Sequence, residues 1–136
     1  MTQNGYKELT QLRDEYIEDV TVNVMNIGEK SMLTSTIKAS WCGRLYAYRH
    51  NLKTEEKNLE VLRATERKII QSGLKVVTSE AELKQLKLSN SNAIIAKEER
   101  IDDLKEIISF LRETQKLVAF FGNDIKNAVD YMKLDA

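Results

Sequence analysis

The 136 residues contain no proline, five isolated glycines, one cysteine and one histidine. Sheets joined by tight turns draw on proline and paired glycine, so this shortage points to helices. A single thiol, Cys42, excludes an intramolecular disulfide and gives no sign of an oxidising compartment. His50 lies eight residues from Cys42 with no second cysteine or histidine to complete a zinc site, and no nucleophile is assignable to it. Isolated glycines build neither a dinucleotide fingerprint nor a Walker loop. No apolar run approaches the roughly 18 residues of a membrane span, and Met1 to Glu8 lack the apolar centre of a signal peptide. A soluble, cytoplasmic, non-enzymatic protein with no cofactor and no metal is expected.

Carboxylates do gather at Glu98, Glu99, Asp102, Asp103 and Glu106, but Lys97, Arg100 and Lys105 are interleaved with them. Helical spacing spreads such a run around a solvated, ion-paired surface.

With 42% hydrophobic residues the chain has enough apolar material for one core, so a single helical domain over residues 1–136 is expected. Tyr6, Leu9, Leu12, Tyr16, Ile17 and Val20 recur three or four apart, which predicts a short amphipathic helix. From Val20 to Ile27 β-branched residues alternate, which predicts an extended or irregular passage before Gly28. Ser and Thr between Ser31 and Ser35 offer caps for a long helix running to Ser72, with Gly73 as its stop. Within it Trp41, Leu45, Tyr48, Leu52, Leu59, Leu62 and Ile69 keep a heptad-like seam whose skipped positions are Glu55 and Glu66. After a loop at 73–79, a second seam runs Leu83, Leu86, Asn90, Ile94, Lys97, Ile101, Leu104, Ile108, Leu111, Gln115, Val118. Two seams of this length predict an antiparallel helical hairpin in an all-α fold, with Asn90 and Lys97 setting its register. Gly122 and Asn123 interrupt, and a last short helix follows within 123–134, Asn123 capping Asp124 to Lys133.

Charge is balanced overall, at 21 basic and 21 acidic residues, but not locally. Residues 38–68 hold eight cations against four glutamates, while residues 1–37 hold three cations against six acids. A neutral chain with one basic segment attracts polyanions at that segment alone. At about 100° per residue, Arg49, Lys53, Lys57, Arg63, Arg67 and Lys68 fall within roughly 140° of arc, opposite the seam. Tyr46 and His50 share the arc, so flat rings accompany the cations, as single-stranded nucleic acid binding needs. Glu56 and Glu60 share it too, and a solvated face with internal ion pairs is the plain alternative.

The acidic start Leu9 to Asp19, the Glu29-Lys-Ser-Met-Leu33 stretch leading into Ile37-Lys-Ala-Ser-Trp41, the basic helix ending at Gln71-Ser-Gly73, and the tail Phe120 to Leu134 together resemble the UvsY-type recombination mediators of tailed bacteriophages. The resemblance implies binding of single-stranded DNA coated by the phage single-strand binding protein, and loading of a RecA-like recombinase in the cytoplasm of the infected bacterial host. It also implies a ring-like homo-oligomer of six or seven subunits assembled through the C-terminal helix region. The basic motif would correspond to Leu62 to Lys68, favouring Arg63, Arg67 and Lys68. Thr65, Glu66 and Ile69-Ile70 depart from the family pattern, and stacking on Tyr46 or Tyr48 is the alternative. Leu117, Val118, Phe120, Phe121, Ile125, Val129 and Met132 are the expected subunit interface, or else the closure of this subunit's own core. A helical scaffold making only protein contacts is the competing reading.

Overall fold

The computed structural model describes the backbone of residues 1–75 and 80–134 and the side chains of 1–71 and 80–134. Among the described residues it is all-helical: α1 (Gln3–Val20), α2 (Ile27–Lys75), α3 (Glu80–Val118) and α4 (Phe121–Leu134). No helix among them is long and apolar enough to cross a membrane. The two long helices form the expected antiparallel hairpin, and at 49 and 39 residues they extend about 73 Å and 58 Å.

One half of that hairpin is a four-helix body. Trp41, Leu45, Leu104, Ile107, Leu111, Val118, Phe121 and Ile125 are buried there, with α1 adding Leu12. Tyr16 meets the Trp41 and Phe110 rings edge-on, at centroid distances of 5.5 and 6.4 Å. The other half is two helices alone. Leu59 is its one buried hydrophobic side chain among the described residues, while Val61, Ile70, Leu86, Leu88 and Ile95 stay exposed.

Local chemistry moves several element ends from where spacing puts them. Thr2 caps α1: its hydroxyl accepts from Gly5 N–H at 3.1 Å and donates to Asp103, whose other oxygen takes the Thr2 N–H at 2.9 Å. Residues 21–26 form no strand; the alternating pattern is overridden by two asparagines. Asn23 Oδ1 accepts from Met25 and Asn26 N–H, and Asn26 returns bonds to Asn23 N–H and the Thr21 carbonyl. These side-chain bonds serve backbone groups that a helix start leaves open. Consequently α2 begins at Ile27, ahead of the 31–35 window, and Thr34 donates back to the Lys30 and Ser31 carbonyls instead of capping. Gly73 does not stop α2, which continues to Lys75; a helical glycine costs only about 1 kcal/mol. Of the expected 73–79 loop, 76–79 lie outside the described residues. Asn123 is no cap: the chain turns at Ala119-Phe120, where Phe120 N–H reaches the Leu117 carbonyl at 3.1 Å, and α4 starts at Phe121. Turning there places both Val118 and Phe121 in the core, a placement that decides the position of the break.

Candidate nucleic-acid interface

The exposed side of α2, beside its seam with α3, carries the row of cations. Lys53, Lys57, Arg63, Arg67 and Lys68 are exposed and Arg49 is half-buried. Steps from Arg49 to Lys53 to Lys57 are single helical turns of about 6 Å, so their charges stand in line along the axis. Glu60 and Ala64 then separate this group from Arg67 and Lys68. Among the described residues, Arg49, Lys53, Lys57, Arg67 and Lys68 form no ion pair.

Two other cations of the hairpin, Arg44 and Arg100, are paired with α1. Arg44 stacks 4.2 Å above the Trp41 ring centroid and lies 2.8 Å from Glu15 Oε2, an ion pair off the line of a hydrogen bond. On α3, Arg100 donates to both oxygens of Glu8, at 2.7 and 3.4 Å, and the Tyr48 hydroxyl donates to the same carboxylate at 2.6 Å. That Arg100 contact holds the Glu8 carboxyl below its ordinary range against the opposing effect of burial. Burial, reinforced by Glu8, pushes the Tyr48 phenol well up, and Glu8 raises Arg100. Trp41 Nε1 donates to Asp19 at 2.9 Å. Glu8, Glu15 and Asp19, three of the six acids of residues 1–37, are thus directed at inner cations and polar ring atoms of the hairpin. The row keeps its cations out of such pairs among the described residues, and with Glu56 and Glu60 on the same arc its surplus is five cations against two carboxylates, a local excess of positive charge.

Arg63 stands apart from its neighbours. It sits at the edge of the arc and donates to Glu98 of α3 at 3.2 Å, both side chains remaining about half exposed. The structure therefore separates it from Arg67 and Lys68, with which the motif groups it. Tyr48 is half-buried and bound to Glu8, which removes it as a stacking platform. Tyr46, 63% exposed, and the exposed His50 are the rings on the outer face. Of the acidic run, Glu98 pairs with Arg63, and Asp103 is buried against Thr2.

The seven apolar residues near the C-terminus divide. Val118, Phe121 and Ile125 belong to this subunit's core, Val129 and Met132 are half-buried, and only Leu117 and Phe120 stand largely in the open. Tyr131 and Leu134, which lie outside the apolar spacing, are exposed with them. Spacing along the chain does not show the inward contacts of α1, although the acid excess of residues 1–37 is their trace in the sequence.

No family model, no curated protein and no solved structure matches the chain.

Proposed function

We propose that this protein is a non-enzymatic mediator of recombination: a homo-oligomer that binds single-stranded DNA, displaces the single-strand binding protein from it, and assists loading of a RecA-like recombinase. The observation that carries the DNA-binding part is the row of Arg49, Lys53, Lys57, Arg67 and Lys68 on one exposed face of α2, free of ion pairs among the described residues, beside the exposed rings of Tyr46 and His50. Cations in line follow a phosphate backbone, and rings take its bases without regard to sequence. The mediator role rests on the resemblance of the chain's order of elements to the UvsY-type proteins. One row binds weakly; a ring of six or seven copies sets many rows along one strand and multiplies the affinity through effective concentration. Leu117, Phe120, Tyr131 and Leu134 supply exposed apolar surface for such an assembly.

A fluorescence titration with a labelled oligonucleotide at low salt tests this. Tight, salt-sensitive binding is expected, and binding that persists undiminished in the Arg63→Ala, Arg67→Ala, Lys68→Ala and Lys53→Ala, Lys57→Ala combinations would sink the DNA role. The reading as a protein-only helical scaffold is favoured by one observation, the exposed apolar side chains along the two-helix half of the hairpin. Sedimentation with and without oligonucleotide separates the two, because a scaffold keeps one mass in both.

A further inference from the structure

At the four-helix end of the cation row, α2 and the last turn of α3 leave a groove of about 320 Å³, lined by Lys38, Ala39, Cys42, Gln115, Val118 and Ala119. Its position is the informative part. Ala39, Cys42, Tyr46, Arg49 and Lys53 follow one another at three- and four-residue steps, so groove, ring and cations share one line on α2. Gln115 donates from Nε2 to the Cys42 sulfur at 3.5 Å, and its amide oxygen has no hydrogen-bond partner among the described residues. A sulfur acceptor is weak, which leaves a half-buried amide able to donate to and accept from a ligand. Lys38 adds a cation at the rim.

We propose that this groove receives a nucleobase of the strand held by the α2 row, with Gln115 meeting the base edge, the exposed Ala39 and Ala119 meeting its face, and Lys38 meeting the adjoining phosphate. The inference rests on the reading of the row as a single-strand site. A base offers a flat apolar face and an edge of donors and acceptors, which is what small side chains beside one free amide accommodate. Tyr46, one turn from Cys42, stacks the next base along. An isolated metabolite or a protein side chain would have no use for the cations that continue the line.

Cys42 is the only cysteine in the chain and lines the groove, so it reports occupancy. Its alkylation by iodoacetamide would be timed with saturating oligothymidylate of about 16 nucleotides and with an abasic strand of equal length. Oligothymidylate is expected to slow modification at least about fivefold, the low end of one base contact, and the abasic strand to leave it unchanged. Ala39→Phe, at an exposed position that leaves the core alone, is expected to weaken oligothymidylate binding and spare abasic binding. Equal protection by both strands means that the backbone alone shields the thiol and overturns the base assignment. Full reactivity in a strand-bound protein also overturns it, with the row intact. If neither strand binds, the row itself is wrong and the groove assignment goes with it.

Discussion

Lys97 Nζ lies 2.6 Å from Glu55 Oε2 across the α2–α3 seam, where both side chains occupy positions that apolar residues fill elsewhere along the two helices. Each is a cost to its own helix, and together they cancel: a part-buried charge is tolerated when its partner is fixed opposite. Asn90 acts in the same way one step outward, donating to the Leu62 carbonyl at 3.2 Å. Slippage by one heptad would leave the ammonium, the carboxylate and the amide facing hydrocarbon. Lys97→Met alone is expected to destabilise the protein by about 1–3 kcal/mol, by stranding Glu55. Glu55→Leu combined with Lys97→Leu should recover most of that loss while broadening the set of registers. Urea unfolding of the two variants checks the first statement, and cysteine cross-linking across the seam checks the second.

Gly5 shows how closely α1 is fitted to α3. A methyl group placed there would come within 2.4 Å of the Asp103 carboxyl carbon, and that carboxylate is pinned by Thr2 and cannot swing away. Gly5→Ala gains up to about 1 kcal/mol of helix propensity, and the clash outweighs it. The expected result is a net loss of about 1–3 kcal/mol, the range for overpacking, with partial undocking of α1. Trp41 is the only tryptophan and lies under α1, bonded to Asp19, so its emission should shift to the red in this variant. An unshifted spectrum and unchanged unfolding midpoint would mean that α1 sits differently.

Acid sensitivity should centre on Glu8. Arg100 first, then Tyr48, hold its carboxyl below the ordinary 4.5, so the unfolded chain takes up the proton at higher pH than the folded one. The stabilisation is therefore complete above about pH 4.5 and is lost as pH falls through the lowered folded value. Tyr48 gives the opposite limb: burial raises its phenol above the ordinary 10.0, so its contribution is complete below that value and disappears as pH rises through the folded one. Thermal melts from pH 3 to 7 are expected to show a falling Tm below pH 4.5 that becomes shallower in Glu8→Gln. At pH 7 the same variant should lose about 1–3 kcal/mol, the scale of a hydrogen bond to a charged group.

Periodicity sufficed for the hairpin because the seam residues of both long helices recur over many turns, and a pattern that long has one solution. Lys97 and Glu55 were visible as polar breaks in those seams, and their mutual contact follows once the helices run antiparallel. Ends were less legible. Asn23 and Asn26 stop and restart the chain through four hydrogen bonds that depend on backbone placement, and Gly73 carries no signal distinguishing a tolerated glycine from a stop. Angular position placed Arg49, Lys53, Lys57, Arg67 and Lys68 on one outer face. It could not show that Arg63, at the edge of that arc, leans across to Glu98, since this contact joins residues 35 apart in sequence.

That lean makes the cations of α2 unequal, and salt titration resolves the inequality. Each phosphate contact neutralised on a single strand contributes about −0.7 to the slope of log K against log salt. Arg67→Ala and Lys53→Ala, which remove side chains free of ion pairs among the described residues, are each expected to flatten the slope by about that amount. Arg63→Ala should change it by less, because its guanidinium already spends part of its field on Glu98 at 3.2 Å. Glu98→Gln is the informative partner: it releases Arg63 without touching the row, and is expected to steepen the slope and tighten binding. Should Glu98→Gln leave the slope alone while Arg63→Ala flattens it as fully as Arg67→Ala, the guanidinium is already on the DNA and the ion pair to α3 is not what holds it in solution.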